Sequence, residues 1–160
     1  MADYQSRPLS PDDLDVICGL PQHAGELFYM YPKGAYPLTP EQIRETLKTR
    51  LCPTVITAEG GGIAAYANLY DCVREKECWL GNVIVAPEYR GKGASSYLIR
   101  TMMDKAKREL DVPFLNLVCH NTNTPALLLY AKLGFCPFDV SEKSGPDGKR
   151  LAGIHMRASL

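Results

Sequence analysis

Neither sign of charge dominates this chain: 18 Lys and Arg residues are matched by 18 Asp and Glu, so the formal net charge is zero. A domain that grips nucleic acid through its phosphates, or is drawn to anionic lipid, uses a basic surplus, and neither partner is expected here. No run of about twenty apolar residues is present to cross a bilayer. The six cysteines, at 18, 52, 72, 78, 119 and 136, include no Cys-x-x-Cys pair and no histidine stands at zinc-finger spacing, so no metal site is expected. They read as buried thiols in a reducing cytoplasm. The opening Met-Ala-Asp-Tyr-Gln has no basic stretch leading into an apolar core, so no secretion signal is expected either.

What is present is an ordinary globular composition, 46% hydrophobic and 22% charged over 160 residues. That predicts one domain over 1–160, long enough to bury about 70% of its unfolded surface. A short strand over 4–9 leads to a helix running to about Cys18, with Ser10 as cap and Pro11 in the first turn. Two more helical stretches, 23–31 and 39–50, are separated by Pro32, Gly34 and Pro37. Strands over 54–58 and 63–70 flank Glu59-Gly-Gly-Gly, a hairpin signal, and 77–85 continues the meander. The clearest helix is 94–110, with Leu98, Met102, Ala106 and Leu110 on one stripe. A strand over 114–119, a helix over 124–133 and strands over 135–140 and 150–156 complete the chain, the last two joined by a Gly/Asp/Lys loop at 141–150. This order predicts an α+β fold, a mixed sheet with helices on both faces.

Between Asn82 and Ser96 a β-branched strand, Val83-Ile84-Val85, passes through Pro87 into Arg90-Gly-Lys-Gly-Ala-Ser-Ser and then the long helix. Backbone donors at such a helix start favour an anion. A Walker loop fails on spacing, since Gly91-Lys92-Gly93 is not preceded by the required Gly and is followed by Ala94. A dinucleotide fingerprint fails because Ser96 takes its third glycine position, and the next strand ends at Cys119-His120 where a ribose-binding acid belongs.

Arg90-Gly-Lys-Gly93-Ala-Ser95 resembles the Arg/Gln-x-x-Gly-x-Gly/Ala loop of the GNAT superfamily of N-acetyltransferases, with Ser95 where Gly or Ala is usual. Asn123-Thr-Pro-Ala126-Leu-Leu-Leu-Tyr130-Ala-Lys-Leu-Gly134-Phe135 is similar to that family's Asn-x-x-Ala-x-x-x-Tyr-x-x-x-Gly-Phe segment. The resemblance runs from about residue 4 to 157. It implies the GNAT acyl-CoA N-acyltransferase fold: a mostly antiparallel central sheet with one splayed parallel pair. It also implies acetyl-CoA as co-substrate and transfer of its acetyl group to a primary amine, a peptide lysine or a small amine.

On that resemblance, backbone groups of Val83, Ile84 and Val85 pair with the pantetheine arm as an added strand, and Arg90, Gly91, Lys92, Gly93, Ala94, Ser95 and Ser96 hold the pyrophosphate. Tyr130 is the expected general acid toward the leaving thiolate. Asn123 holds the cofactor, caps its helix, or both, and Lys132 reaches the phosphate end or is simply solvated. The base is open among Glu77, His120 and a water ordered by Asn82. The acceptor wall is expected from Glu26, Phe28, Tyr29, Tyr31 and Tyr36 on one side and Lys149 and Arg150 on the other, the last two able to meet a substrate carboxylate. Cys119 beside His120 reads as core filler rather than a nucleophile, because strand neighbours point to opposite faces. The competing function is a non-catalytic acetyl-CoA-binding module, and the expected assembly is a monomer or homodimer.

Overall fold

The computed structural model describes residues 2–160. Seven strands form one sheet: β1 (Tyr4–Pro8), β2 (Leu51–Ala58), β3 (Ile63–Val73), β4 (Glu77–Val85), β5 (Phe114–His120), β6 (Cys136–Ser144) and β7 (Arg150–Ser159), in the order β1-β2-β3-β4-β5-β7-β6. Every pairing is antiparallel except β4 with β5.

Five α-helices cover the sheet: α1 (Leu14–Cys18), α2 (Ala24–Met30), α3 (Pro40–Leu47), α4 (Ala94–Leu110) and α5 (Thr124–Lys132). The strands' alternation divides the core in two. On one face Ile56, Ala65, Ala67 and Leu69 pack against Leu98, Ile99, Met102 and Ala106 of α4 and against Tyr130 and Phe135. On the other, Val55, Tyr66 and Ile84 meet Leu14, Ile17, Leu27, Met30 and Ile43 from α1 to α3. The α4 stripe read from the sequence is thus the inner face of that helix, with Leu110 half-buried at its end.

Three expectations are corrected. The stretch 141–150 is not a loop, because β6 continues to Ser144 and pairs with β7 as far as Arg150, leaving only Gly145 to Lys149 as the turn. The helix expected over 39–50 ends at Leu47, and turns lead from Lys48 to the start of β2. Nor are the cysteines six buried thiols: Cys72 and Cys78 are disulfide-bonded across the β3–β4 turn, and Cys136 is exposed. No described helix is long and apolar enough to cross a membrane.

Candidate active site

The parallel pair holds the key geometry. β4 and β5 pair only at Cys78 with Leu115 and Trp79 with Asn116. Beyond that point β5 stays paired to β7 as far as His120, while β4 follows β3 to Val85, so the two strands diverge. A β-bulge sharpens the divergence: Gly81 faces Asn68 and Ile84 faces Tyr66, so Asn82 and Val83 share the place opposite Ala67. Asn82 takes a φ of 52°, a left-handed conformation that asparagine tolerates better than most residues. Its side chain is anchored at both ends. Nδ2 donates to the Met30 carbonyl at 3.0 Å, and Oδ1 accepts from Asn68 Nδ2 at 2.9 Å. Asn82 therefore fastens the bulge to the end of α2 while lining the cleft.

A cleft of about 420 Å³ opens where the strands part, reaching from Tyr130 and His120 past Asn82 and Val83 to Phe28, Tyr29 and Tyr31. Tyr130 is buried, with its ring edge-on to Phe135 at 5.7 Å between centroids. Burial first, and then Cys119, push its phenol well above the usual range, so it stays protonated. Burial likewise pushes the Cys119 thiol up to about 12, which leaves no thiolate to act as nucleophile. His120 is the last residue of β5 and is buried rather than standing beyond the strand. Its ring lies 4.5 Å from that of Phe28. Burial, with a contribution from Lys143, lowers its pKa below 6.5, so the imidazole is neutral at pH 7.

At the opposite end of β4 the chain turns through Arg90 to Gly93 into α4. Gly91 and Gly93 adopt φ of 71° and 86°, and a Cβ at either would meet nothing within 4 Å, so open space lies over the turn. The Tyr4 hydroxyl donates to the Lys92 carbonyl at 2.9 Å and ties the turn to β1. The first bond inside α4 runs from Tyr97 N to the Gly93 carbonyl, which leaves the N–H groups of Ala94, Ser95 and Ser96 without helical acceptors. Clustered donors at a helix start, with glycines that allow close approach, suit a diphosphate. Since these donors are main-chain, Ser95→Gly should change CoA affinity by less than about tenfold in calorimetric titration.

The sequence matches the model of the acetyltransferase (GNAT) family over residues 21–135. The chain belongs to that family. It is accordingly an acetyl-CoA-dependent N-acetyltransferase. Among similar proteins, an uncharacterized N-acetyltransferase of Bacillus subtilis is 41% identical over 59 residues, 36% of this chain and only 23% of that protein's length. The spermidine N(1)-acetyltransferase of Escherichia coli is 27% identical over 137 residues, covering 81% of this chain and 70% of that one. Among solved structures, the spermidine N-acetyltransferase of Vibrio cholerae in complex with CoA and spermine superposes with a TM-score of 0.83 at 18% identity, covering 98% and 95% of the two chains. The Escherichia coli ribosomal-protein-S18-alanine N-acetyltransferase gives 0.74 at 24% identity, covering 99% and 94%. The fold expected from the resemblance is the one observed.

Within this GNAT fold, several expected site residues stand elsewhere. Glu26 does not line the cleft; its carboxylate receives both Nη groups of Arg90, at 2.8 and 2.9 Å. That pairing holds Glu26 below the usual carboxylate range. Arg90 Nε also donates to the Val85 carbonyl at 3.2 Å, so the arginine braces the turn and occupies one of the strand groups expected to be open. Tyr36 is exposed and donates its hydroxyl to the Gln22 carbonyl. Lys149 and Arg150 lie in or beside the β6–β7 turn against Asp147 and Glu142, outside the cleft, where Lys143 and Ser144 take the place they were expected to fill. Glu77 sits at the far end of β4, bound by Arg157 and by Asn116, which removes it from reach as a base. Asn123 occupies the N-cap of α5 without a side-chain cap bond, and Lys132 is exposed in its last turn. Sequence reading missed Lys33, Arg50, Tyr70 and Gly81, which all line the cleft. They belong to four segments that only the sheet order brings together.

Proposed function

We propose that the cleft transfers the acetyl group of acetyl-CoA directly to a primary amine, with Tyr130 as general acid and His120 as general base. The observation that carries this reading is that Tyr130, His120 and the Asn82 bulge line one cleft at the β4–β5 divergence. Bound acetyl-CoA would supply an acetyl group already activated as a thioester. The donors at Gly93 to Ser96 would hold its diphosphate, and the edge of β4 at Val83 and Ile84 would hold the pantetheine amides. An amine arriving as ammonium, with a pKa near 10.4, costs about 4 kcal/mol to neutralise at pH 7. The neutral His120 imidazole accepts that proton. The Tyr130 hydroxyl, protonated throughout the physiological range, donates toward the departing sulfur. The spermidine acetyltransferases among the relatives support a small amine over a protein lysine as acceptor.

The test is release of CoA thiol across a panel of amines and lysine peptides. With an accepted amine, kcat should rise with pH along an acid limb whose midpoint lies below 6.5, because His120 must lose its proton to act. His120→Asn should remove that limb and lower kcat by about tenfold or more. The same depressed pKa leaves the folding stability from this group complete above about pH 6.5 and reduces it as pH falls through the folded value, a trend that thermal unfolding reads directly.

A further inference from the structure

The acceptor end of the cleft holds cations and, among the described residues lining it, no carboxylate: Lys33 and Lys143 stand at the exposed mouth and Arg50 stands deeper. Arg50 is set in place with unusual care. Its guanidinium lies 4.2 Å from the centre of the Tyr70 ring, and the absence of a Cβ at Gly81 makes room for it, since one there would come within 2.6 Å of Nη1 and 2.9 Å of the tyrosine ring. Yet Nε and Nη1 are buried with no hydrogen-bond partner, and no described carboxylate lies within ion-pairing distance of the group. A buried donor pair left unmet is costly and is normally satisfied by protein, water or ligand. Nη2 also makes no hydrogen bond and is not among the buried atoms, so it is the nitrogen that faces the cleft, where a substrate carboxylate would meet a charge that no residue answers.

We infer that Arg50 reads a carboxylate on the acceptor, so that the substrate is an amine which also carries a carboxylate, a free amino acid or a small amino-acid-like compound, and not a polyamine. This rests on the acetyl-transfer reading only for what happens to the amine. A polyamine would bring several positive charges to a cleft that offers Lys33, Arg50 and Lys143 and no opposing acid. For an amino acid the same field works in both directions: it attracts the carboxylate and favours the neutral form of the amine that attacks. Tyr70 and Gly81 act as positioning residues, holding the guanidinium flat.

Matched pairs test this: lysine with cadaverine, ornithine with putrescine, leucine with isoamylamine, and spermidine alone, each with acetyl-CoA and thiol detection. At least one amino acid should exceed its decarboxylated partner and spermidine by about tenfold or more in kcat/KM. In Arg50→Gln that preference should collapse through a raised KM for the amino acid, with the decarboxylated amine used as well as before or better and the CoA dissociation constant changed by less than about threefold. Calorimetric titration of the same amino acids into CoA-loaded protein, wild type and Arg50→Gln, reads the carboxylate site without catalysis. Binding that depends on Arg50 in a protein that acetylates nothing would retain the carboxylate site and reject acetyl transfer. Equal use of both members of every pair, a preference for spermidine, or absence of amino-acid binding would overturn the inference, and needs only the wild-type protein.

Discussion

Tyr130→Phe is expected to lower kcat by about 10²-fold or more while leaving the dissociation constant for CoA within about threefold. The substitution removes one oxygen and keeps the ring that packs on Phe135, so the core around α5 should hold. What is lost is a donor that lines the cleft and whose upward-shifted pKa keeps it protonated. The loss should fall on kcat and kcat/KM alike, since the bond to the departing sulfur strengthens as charge develops there. Steady-state kinetics with parallel calorimetry separates this from damage to the cofactor site. A fall in CoA affinity with little change in kcat would make Tyr130 a packing residue.

Gly93→Asp should weaken CoA binding by about 10²-fold more than Gly93→Asn. Both side chains are tolerated at the left-handed φ of 86° that this position requires, so the backbone strain is shared between them. Both enter the same open space over the turn. Only aspartate places a negative charge among the main-chain donors of Ala94 to Ser96, where it competes with a diphosphate and repels it. Titration of CoA into the two variants measures the difference, and thermal unfolding without ligand shows whether their folds match. Equal affinity would move the diphosphate away from the α4 turn.

The turn and the tyrosine proposed for the cofactor side of the cleft were legible because each is local. A positive-φ turn and a helix start lie within residues 90–96, and the Tyr130 segment is likewise one helix and its exit, so composition at short spacing specifies both. The strands of the meander and α4 were legible for a similar reason, since their periodicity is strong and their ends carry glycine, proline or a charge change. The acceptor half is not local. Arg50 reads in the sequence as the last residue of a helix, and only the register of β2, β3 and β4 sets it beside Tyr70 and Gly81. Glu26, Lys149 and Arg150 were chosen for charge near the expected walls, and each is instead paired with a charge of opposite sign, Lys149 with its near neighbour Asp147 but Glu26 with Arg90, 64 residues away, and Arg150 with Glu142 across the hairpin. The bulge at Asn82 was equally hidden, because the hydrogen bonds that stabilise it come from Asn68 and Met30, the latter 52 residues away.

Direct transfer within the β4–β5 cleft is tested most sharply by following a labelled acetyl group through a single turnover. Acetyl-CoA carrying the label is mixed with excess enzyme and an accepted amine, and intact-protein and small-molecule masses are recorded together over time. The label should pass to the amine as CoA is released, with no labelled protein at any time, as expected when Cys119 stays protonated with its pKa near 12. Transient label on the protein, mapped to Cys119 or to any other side chain and lost as product appears, would contradict direct transfer.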